Sequence, residues 1–516
     1  MKKFALVMLL TYGLAHQSQA QVSVLTYHND NARTGANTNE TVLTPANVSS
    51  NIFRRLHVCG VDGYVYAQPL VAAGVTMPRV GSRNMLYVAT EHDSVYAFDA
   101  DTGRRYWRHL LLPRRGRTVS SLTDTGCGDL IPEVGVTSTP VIDPSTSTIY
   151  VLEKGKTNTV FFQRLHALDL ATGTEKFGGP VTLTASVTGN GDGNSGGTVS
   201  YNSLRQHQRS GLLLVNGVVY VASAAHCDIG PYHGWILGYN ATNLAQVAAF
   251  NTTPNGGLGG IWMSGCSPSA DANGNIFVGT GNGTFDADTG GSDYGDSVLR
   301  LSTGSSLTVA DYFTPFDEAA LNAVDNDLGS SGVLLPPDQP GPNPHLAITA
   351  GKAGTIYVLN RDNLGQFQNG SDSQIVQSLP GAIGSAFGTP AYFNGNIYFD
   401  GAGDPLKEFA LNTGTLSSSP ISQAASNLGF PGATPSVSAN GLSNGIVWTV
   451  QTDAYAARSG QAVLHAYDAN DLTHELYNST TRRQPPGNAV KFTVPTIANG
   501  HVYVGAVRRV TVYGVH

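Results

Sequence analysis

The sequence of 516 residues predicts an all-β fold, a single propeller of eight blades, on three observations. A unit with a small-residue or proline lead-in, an apolar-Tyr-Val strand, a second strand and an Asp/Asn-containing Thr-Gly turn recurs along the chain. Its strands alternate apolar and polar residues between Gly, Asn and Asp turns. Sixty-one glycines, 26 prolines and only 13% charged residues complete the picture, against roughly 25% charge in ordinary soluble domains.

Met1 to Ala20 reads MKKFALVMLLTYGLAHQSQA, with Lys2 and Lys3, an apolar run from Phe4 to Leu14, and small residues at Ser18 and Ala20. It is expected to be a signal peptide cleaved before Gln21, which makes the product periplasmic or secreted. Residues 21–516 are then one propeller domain. The first repeat spans Met85 to Trp107, the second Thr148 to Phe177 and the third Val218 to Phe250. Copies follow from Asn275, Thr355, Asn396 and Ile446, and the last, His501 to His516, lacks its outer strand. Such units cannot bury their faces alone and stack radially. Ser23 to Thr41 is expected to supply the missing strand and close the ring.

Several function classes drop out. A net charge of −7 without a basic cluster leaves no footprint for nucleic acid. After the N-terminus no apolar run approaches the ~20 residues of a membrane span. The DADTG stretches at Asp99 and Asp286 lack the twelfth-position acid of a calcium loop. They read as turns, Asp99 bonding its own backbone and Trp107 packing between blades. Four cysteines, Cys59, Cys127, Cys227 and Cys266, allow three complete pairings. No C-x-x-C-H motif is present, so an electron-transfer partner would be a separate protein.

The densest polar chemistry is HCDIGPYHGW, His226 to Trp235. Adjacent side chains in extended backbone point to opposite faces, which argues against a zinc site at His226, Cys227 and Asp228.

The turn AFDADTGRRYW resembles the tryptophan-docking repeat of quinoprotein dehydrogenases, eight-bladed propellers that bind pyrroloquinoline quinone and a metal ion on their axis. The resemblance can be followed stretch by stretch from about Leu214 to Phe367. GLGGIW places Trp262 as the floor under the quinone, and VGTGNGTF places Asn282 as an oxygen ligand to a calcium or lanthanide ion. DIGPYHGW puts Asp228 where the family has a metal-binding glutamate, with His226, Tyr232, His233 and Trp235 lining the entrance. AGKAGTIYVLNR places Lys352 beside the quinone oxygens. In FTPFDEAALNAVDNDLG, an insertion after TPFDE brings the catalytic aspartate onto Asp325 and a second acid onto Asp327, with Asp325 also a metal ligand.

Three departures stand beside these matches. Ala319 and Ala320 replace Trp-Asp, Cys127 has no adjacent cysteine, and Tyr66 or Ala67 stands where the family has a glutamate. The resemblance implies an exported oxidoreductase acting on an alcohol or sugar-type donor, passing electrons to an external cytochrome or quinone. The departures favour the alternative, a propeller without cofactor that serves as an extracellular binding or assembly module.

Overall fold

A computed structural model describes residues 21–516 apart from Ser305 and Arg458, so the expected signal peptide lies outside the described residues. Eight antiparallel blades follow one another around an axis. Blade 1 is built from Leu70–Met77, Gly81–Thr90, Ser94–Asp99 and Arg105–Leu110, from the axis outward. Blades 2 to 7 repeat that order, with inner segments at Val141–Asp143, Leu213–Val215, Ser269–Ala270, Leu334, Ala391–Phe393 and Ser436–Asn440. Among the described residues, buried apolar side chains form eight clusters, one for each pair of neighbouring blades, including the pair that closes the ring. This is the layered burial that a radial stack of amphipathic sheets requires.

Blade 8 joins the chain ends differently from the sequence expectation. Its inner strand Thr496–Ala498 pairs with His501–Val515, whose other partner is Phe53–Tyr64. The closing outer strand is therefore Phe53–Tyr64 and not Ser23 to Thr41. Left-handed backbone at His28, Asn29 and Arg33 stops the earlier segment from extending as a strand.

That earlier segment instead circles the axis and bonds every blade. Val24 pairs with Val71, and Leu25 accepts from Ile142. Asn31 donates its side-chain amide to the Leu214 carbonyl and accepts from Ala270 N–H. Ala32, Thr34 and Gly35 accept from Leu335, Tyr392 and Val437, and the Asn37 amide reaches the Ile497 carbonyl. Arg33, with 0% of its surface exposed, donates to the Pro268, Tyr27 and Asp30 carbonyls and to the Thr26 hydroxyl. A buried guanidinium persists only when its donors are met this fully.

The repeat turns do what their sequence implied. Asp99 Oδ1 accepts from the N–H groups of Asp101 and Thr102, and Asp169 does the same for Ala171 and Thr172. Trp107 of blade 1 then lies over Gly173 of the blade 2 turn and donates Nε1–H to Leu170 O at 3.1 Å.

Candidate functional site

The segments leading into the inner strands converge at one end of the axis and enclose a cavity of about 440 Å³. It is lined from nearly every blade by Asp228 and Tyr232, Trp262, Asp325 and Asp327, Lys352, and the phenyl rings of Phe387, Phe430 and Phe492. Four of the five residues expected to bind the quinone or ion directly from the sequence, Trp262, Asp228, Asp325 and Lys352, line this one space together with Asp327. Asn282, the fifth, touches it through its partners.

Lys352 follows directly on strand Leu346–Ala350 and Gly351. Its Nζ lies 2.5 Å from Asp327 Oδ2, 2.8 Å from Asp325 Oδ1 and 5.4 Å from the Trp262 ring centre. Burial alone would lower the ammonium pKa, but Asp327 and Asp325 more than offset it and hold it raised. The two aspartates therefore do reach one cation, and that cation is an ammonium. They do so from a bent segment: Asp325 has φ +58° and follows the short helix Glu318–Ala323, which carries Ala319 and Ala320 exposed on its surface.

Asn282 N–H donates to Asp327 Oδ1 at 2.6 Å and its Nδ2 donates to Asp325 Oδ1 at 2.9 Å, while its own Oδ1 is buried without a partner. Gly281 permits this approach, because a Cβ there would stand 2.6 Å from Asp327 Oδ1. Behind the cluster, buried Asp296 accepts from Leu328 N–H at 2.9 Å, and burial pushes its carboxyl up to about 8.

The His226 to Trp235 stretch divides its chemistry. Left-handed backbone at Cys227 and Asp228 sends neighbouring side chains apart. Cys227 forms a disulfide with Cys127, tying the lead-in of blade 2 to blade 3 at the cavity wall, while Cys59 and Cys266 are buried free thiols. Asp228 accepts from Tyr232 Oη–H at 2.6 Å. His226 stacks on His207 at 4.2 Å, and burial lowers the pKa of both imidazoles well below the ordinary value. The entrance expected from this stretch is corrected in part. Trp235 is fully buried in the core between blades 2 and 3, and His233 is locked to the Thr253 and Asp192 carbonyls.

Sequence reasoning missed Asp129, Arg209, Phe387, Phe430, Lys491 and Phe492. A signal for some of them was present. Arg209, Phe387 and Phe492 each stand just ahead of the small-residue lead-in of a blade, in RSGL, FGTP and FTVP. Position in the repeat therefore aims these side chains at the axis.

No protein-family profile matches the chain, and no curated protein sequence matches it. Solved structures do. The quinohemoprotein alcohol dehydrogenase from Comamonas testosteroni superposes with TM-score 0.62 at 16% identity, covering 97% of this chain and 81% of that one. A europium-containing methanol dehydrogenase gives 0.58 at 13% identity over 95% and 98% of the two chains. BamB from Moraxella catarrhalis gives 0.51 at 13% identity over 90% and 99%. The chain has the eight-bladed fold of the quinoprotein alcohol and methanol dehydrogenases, at low sequence identity.

Proposed function

We propose that this chain is an exported oxidoreductase that binds pyrroloquinoline quinone and oxidises an alcohol or sugar-type donor, with a calcium or lanthanide ion at the axial site. The observation that carries the reading is the gathering of Trp262 from the lead-in to blade 4, Asp325 and Asp327 from the lead-in to blade 5, and Lys352 from blade 5 itself into one axial cavity. Its volume, about 440 Å³, lies in the usual range for cofactor pockets. Trp262 offers a flat indole beside a fixed cation, which suits a planar electron-poor ring bearing carbonyl oxygens.

The donor set also fits a hard cation. Asp228, Asn282 and Asp325 supply only oxygen, and Asn282 Oδ1 is a buried acceptor without a donor. Among the described residues no three acidic, histidine or cysteine side chains are yet gathered as a metal cluster. The quinone would supply the two-electron acceptor that no side chain here provides.

The protein's own groups do the rest. Asp325, with 70% of its side chain exposed, is reached from the mouth and takes the donor hydroxyl proton on a carboxylate oxygen. Lys352 orients that carboxylate and presents positive charge to the floor of the cavity. Asp327, only 10% exposed, fixes Lys352 from behind. Electrons leave to a separate cytochrome or quinone acceptor.

One observation favours the second reading, a cofactor-free binding or assembly module: Lys352 already satisfies both aspartates without an ion. Turnover separates the two. Protein loaded with quinone and calcium or a lanthanide is assayed with primary alcohols and sugars and an artificial dye acceptor. Metal-dependent dye reduction that disappears in Asp325→Asn supports the oxidoreductase, and no reduction across the panel supports the module.

A further inference from the structure

The cavity has two charged ends of opposite sign. At one end Lys352 stands between Asp325 and Asp327, and a third carboxylate, Asp228, lines the same cavity. On the wall made by the lead-ins to blades 2, 3 and 8, a single carboxylate, Asp129, is shared by two cations, Arg209 Nη1 and Lys491 Nζ. Arg209 is 4% exposed and Lys491 3%. Burial would raise the Asp129 carboxyl, yet the two cations hold it well below the usual carboxylate range. The other acid that acts on Arg209, buried Glu91, has its carboxyl pushed up to about 8 by burial, so near neutral pH this end keeps one positive charge, and Coulomb's law in a desolvated site makes that charge a strong selector.

The guanidinium is also incompletely used. Among the described residues only Nη1 of Arg209 has a protein acceptor. Nε and Nη2 are neither paired nor sealed off, and Arg209 lines both this cavity and a small neighbouring one of about 10 Å³, so the axial cavity is the one of the two with room for an acceptor. A fork of free N–H donors fits the two oxygens of a carboxylate.

Aromatic rings surround this fork. The Arg209 guanidinium carbon lies 4.4 Å from the Phe492 ring centre and 5.6 Å from that of Trp262. Phe387 continues the wall, 6.2 Å from Trp262 and 5.0 Å from Phe430. Phe430 is 41% exposed at the mouth and lies 6.1 Å from Tyr455. The rings run from the cavity floor to solvent, so a flat apolar body entering there passes the cationic pair.

We infer that the donor is a carboxylate-bearing alcohol with a flat or apolar body: its carboxylate is taken by the free fork of Arg209 with Lys491 behind, and its body lies along Phe387, Phe430 and Phe492. With the carboxylate held at the cationic wall, the hydroxyl end is the one turned across the cavity toward Asp325. The inference rests on the oxidoreductase reading for the donor's role. A carboxylate of the quinone could take the same fork, so the experiment separates the two sources.

The probes are 4-(hydroxymethyl)benzoate and neutral 4-methylbenzyl alcohol, titrated into the full chain by calorimetry without turnover. The benzoate is expected to bind about tenfold tighter at low salt, the scale of one charge-assisted bond pair. Arg209→Gln should bind the two probes alike while retaining quinone binding. Arg209→Lys, which keeps the charge and the Asp129 pair without the fork, should keep a reduced preference, and thermal melting of each variant reports folding. Phe430→Ala, at an exposed ring, should weaken both probes together. Equal binding of the two probes to the unmodified protein overturns the inference, and loss of quinone binding in folded Arg209→Gln overturns it by giving the fork to the cofactor. Benzoate preference in a protein that oxidises no alcohol leaves the anion site standing and removes the oxidoreductase reading.

Discussion

Lys352 Nζ stands 2.5 Å from Asp327 Oδ2 and 2.8 Å from Asp325 Oδ1, so one ammonium joins two acids separated by a single residue. Lys352→Met leaves Asp327 buried without its counter-charge, and removing one partner of a buried pair costs on the order of 3 kcal/mol. Denaturant unfolding should show that loss. The folded-state pKa of Lys352 is raised, so its stabilisation is complete below the ordinary lysine value near ~10.4 and is lost as pH rises beyond it. The difference between the unmodified protein and Lys352→Met should therefore shrink in strongly alkaline buffer, and also in acid once Asp327, whose carboxyl burial raises, takes up a proton.

Asp296 predicts the opposite pH dependence. Its carboxyl is pushed up to about 8 in the folded protein, whereas the unfolded chain ionises near ~3.9. Between those values the folded state holds a proton that the unfolded state has released, so stability falls as pH rises from about 4 to about 8. Asp296→Asn keeps an oxygen for Leu328 N–H and removes that penalty. Its melting temperature should exceed that of the unmodified protein at pH 8 and converge with it near pH 4.

The Cys127–Cys227 bridge spans 100 residues of sequence. Replacing either cysteine by serine should cost ~2–4 kcal/mol and free the Asp228 turn. Melting with and without reductant checks it: reductant should lower the unmodified protein to the level of Cys227→Ser and leave that variant unchanged.

Trp107 over Gly173 tests the blade contact. Alanine at Gly173 would place Cβ 2.8 Å from the indole at φ +71°, a combined clash and backbone strain of about 1–3 kcal/mol. Gly178→Ala serves as the comparison, because it shares a positive φ but has nothing within 4 Å. Only the Gly173 variant should lose more than the backbone strain.

The fold was legible because the repeat is written in strand alternation and in turns such as Asp99 to Gly103, which depend on local residues. The closing strand was not, since Ser23 to Thr41 and Phe53–Tyr64 compete for one edge and only tertiary pairing with His501–Val515 decides between them. Within the site, Trp262, Asp228, Asp325, Asp327 and Lys352 could be placed in one cavity because family-like stretches carry them in order. The cationic wall escaped because Asp129, Arg209 and Lys491 come together only when the ring closes, Arg209 lying 80 and Lys491 362 positions from Asp129. The Cys127–Cys227 pairing escaped for the same reason.

The central claim is that a quinone seats on Trp262. Of the four tryptophans in the chain, Trp235 and Trp448 are fully buried and Trp107 is taken by the contact between blades 1 and 2, which leaves Trp262 as the one lining the cavity. Titration with pyrroloquinoline quinone in the presence of calcium or a lanthanide, followed by tryptophan fluorescence, tests this directly. The account predicts saturable, metal-dependent quenching that is absent in folded Trp262→Ala. No quenching with either ion, or equal quenching in Trp262→Ala, would contradict it.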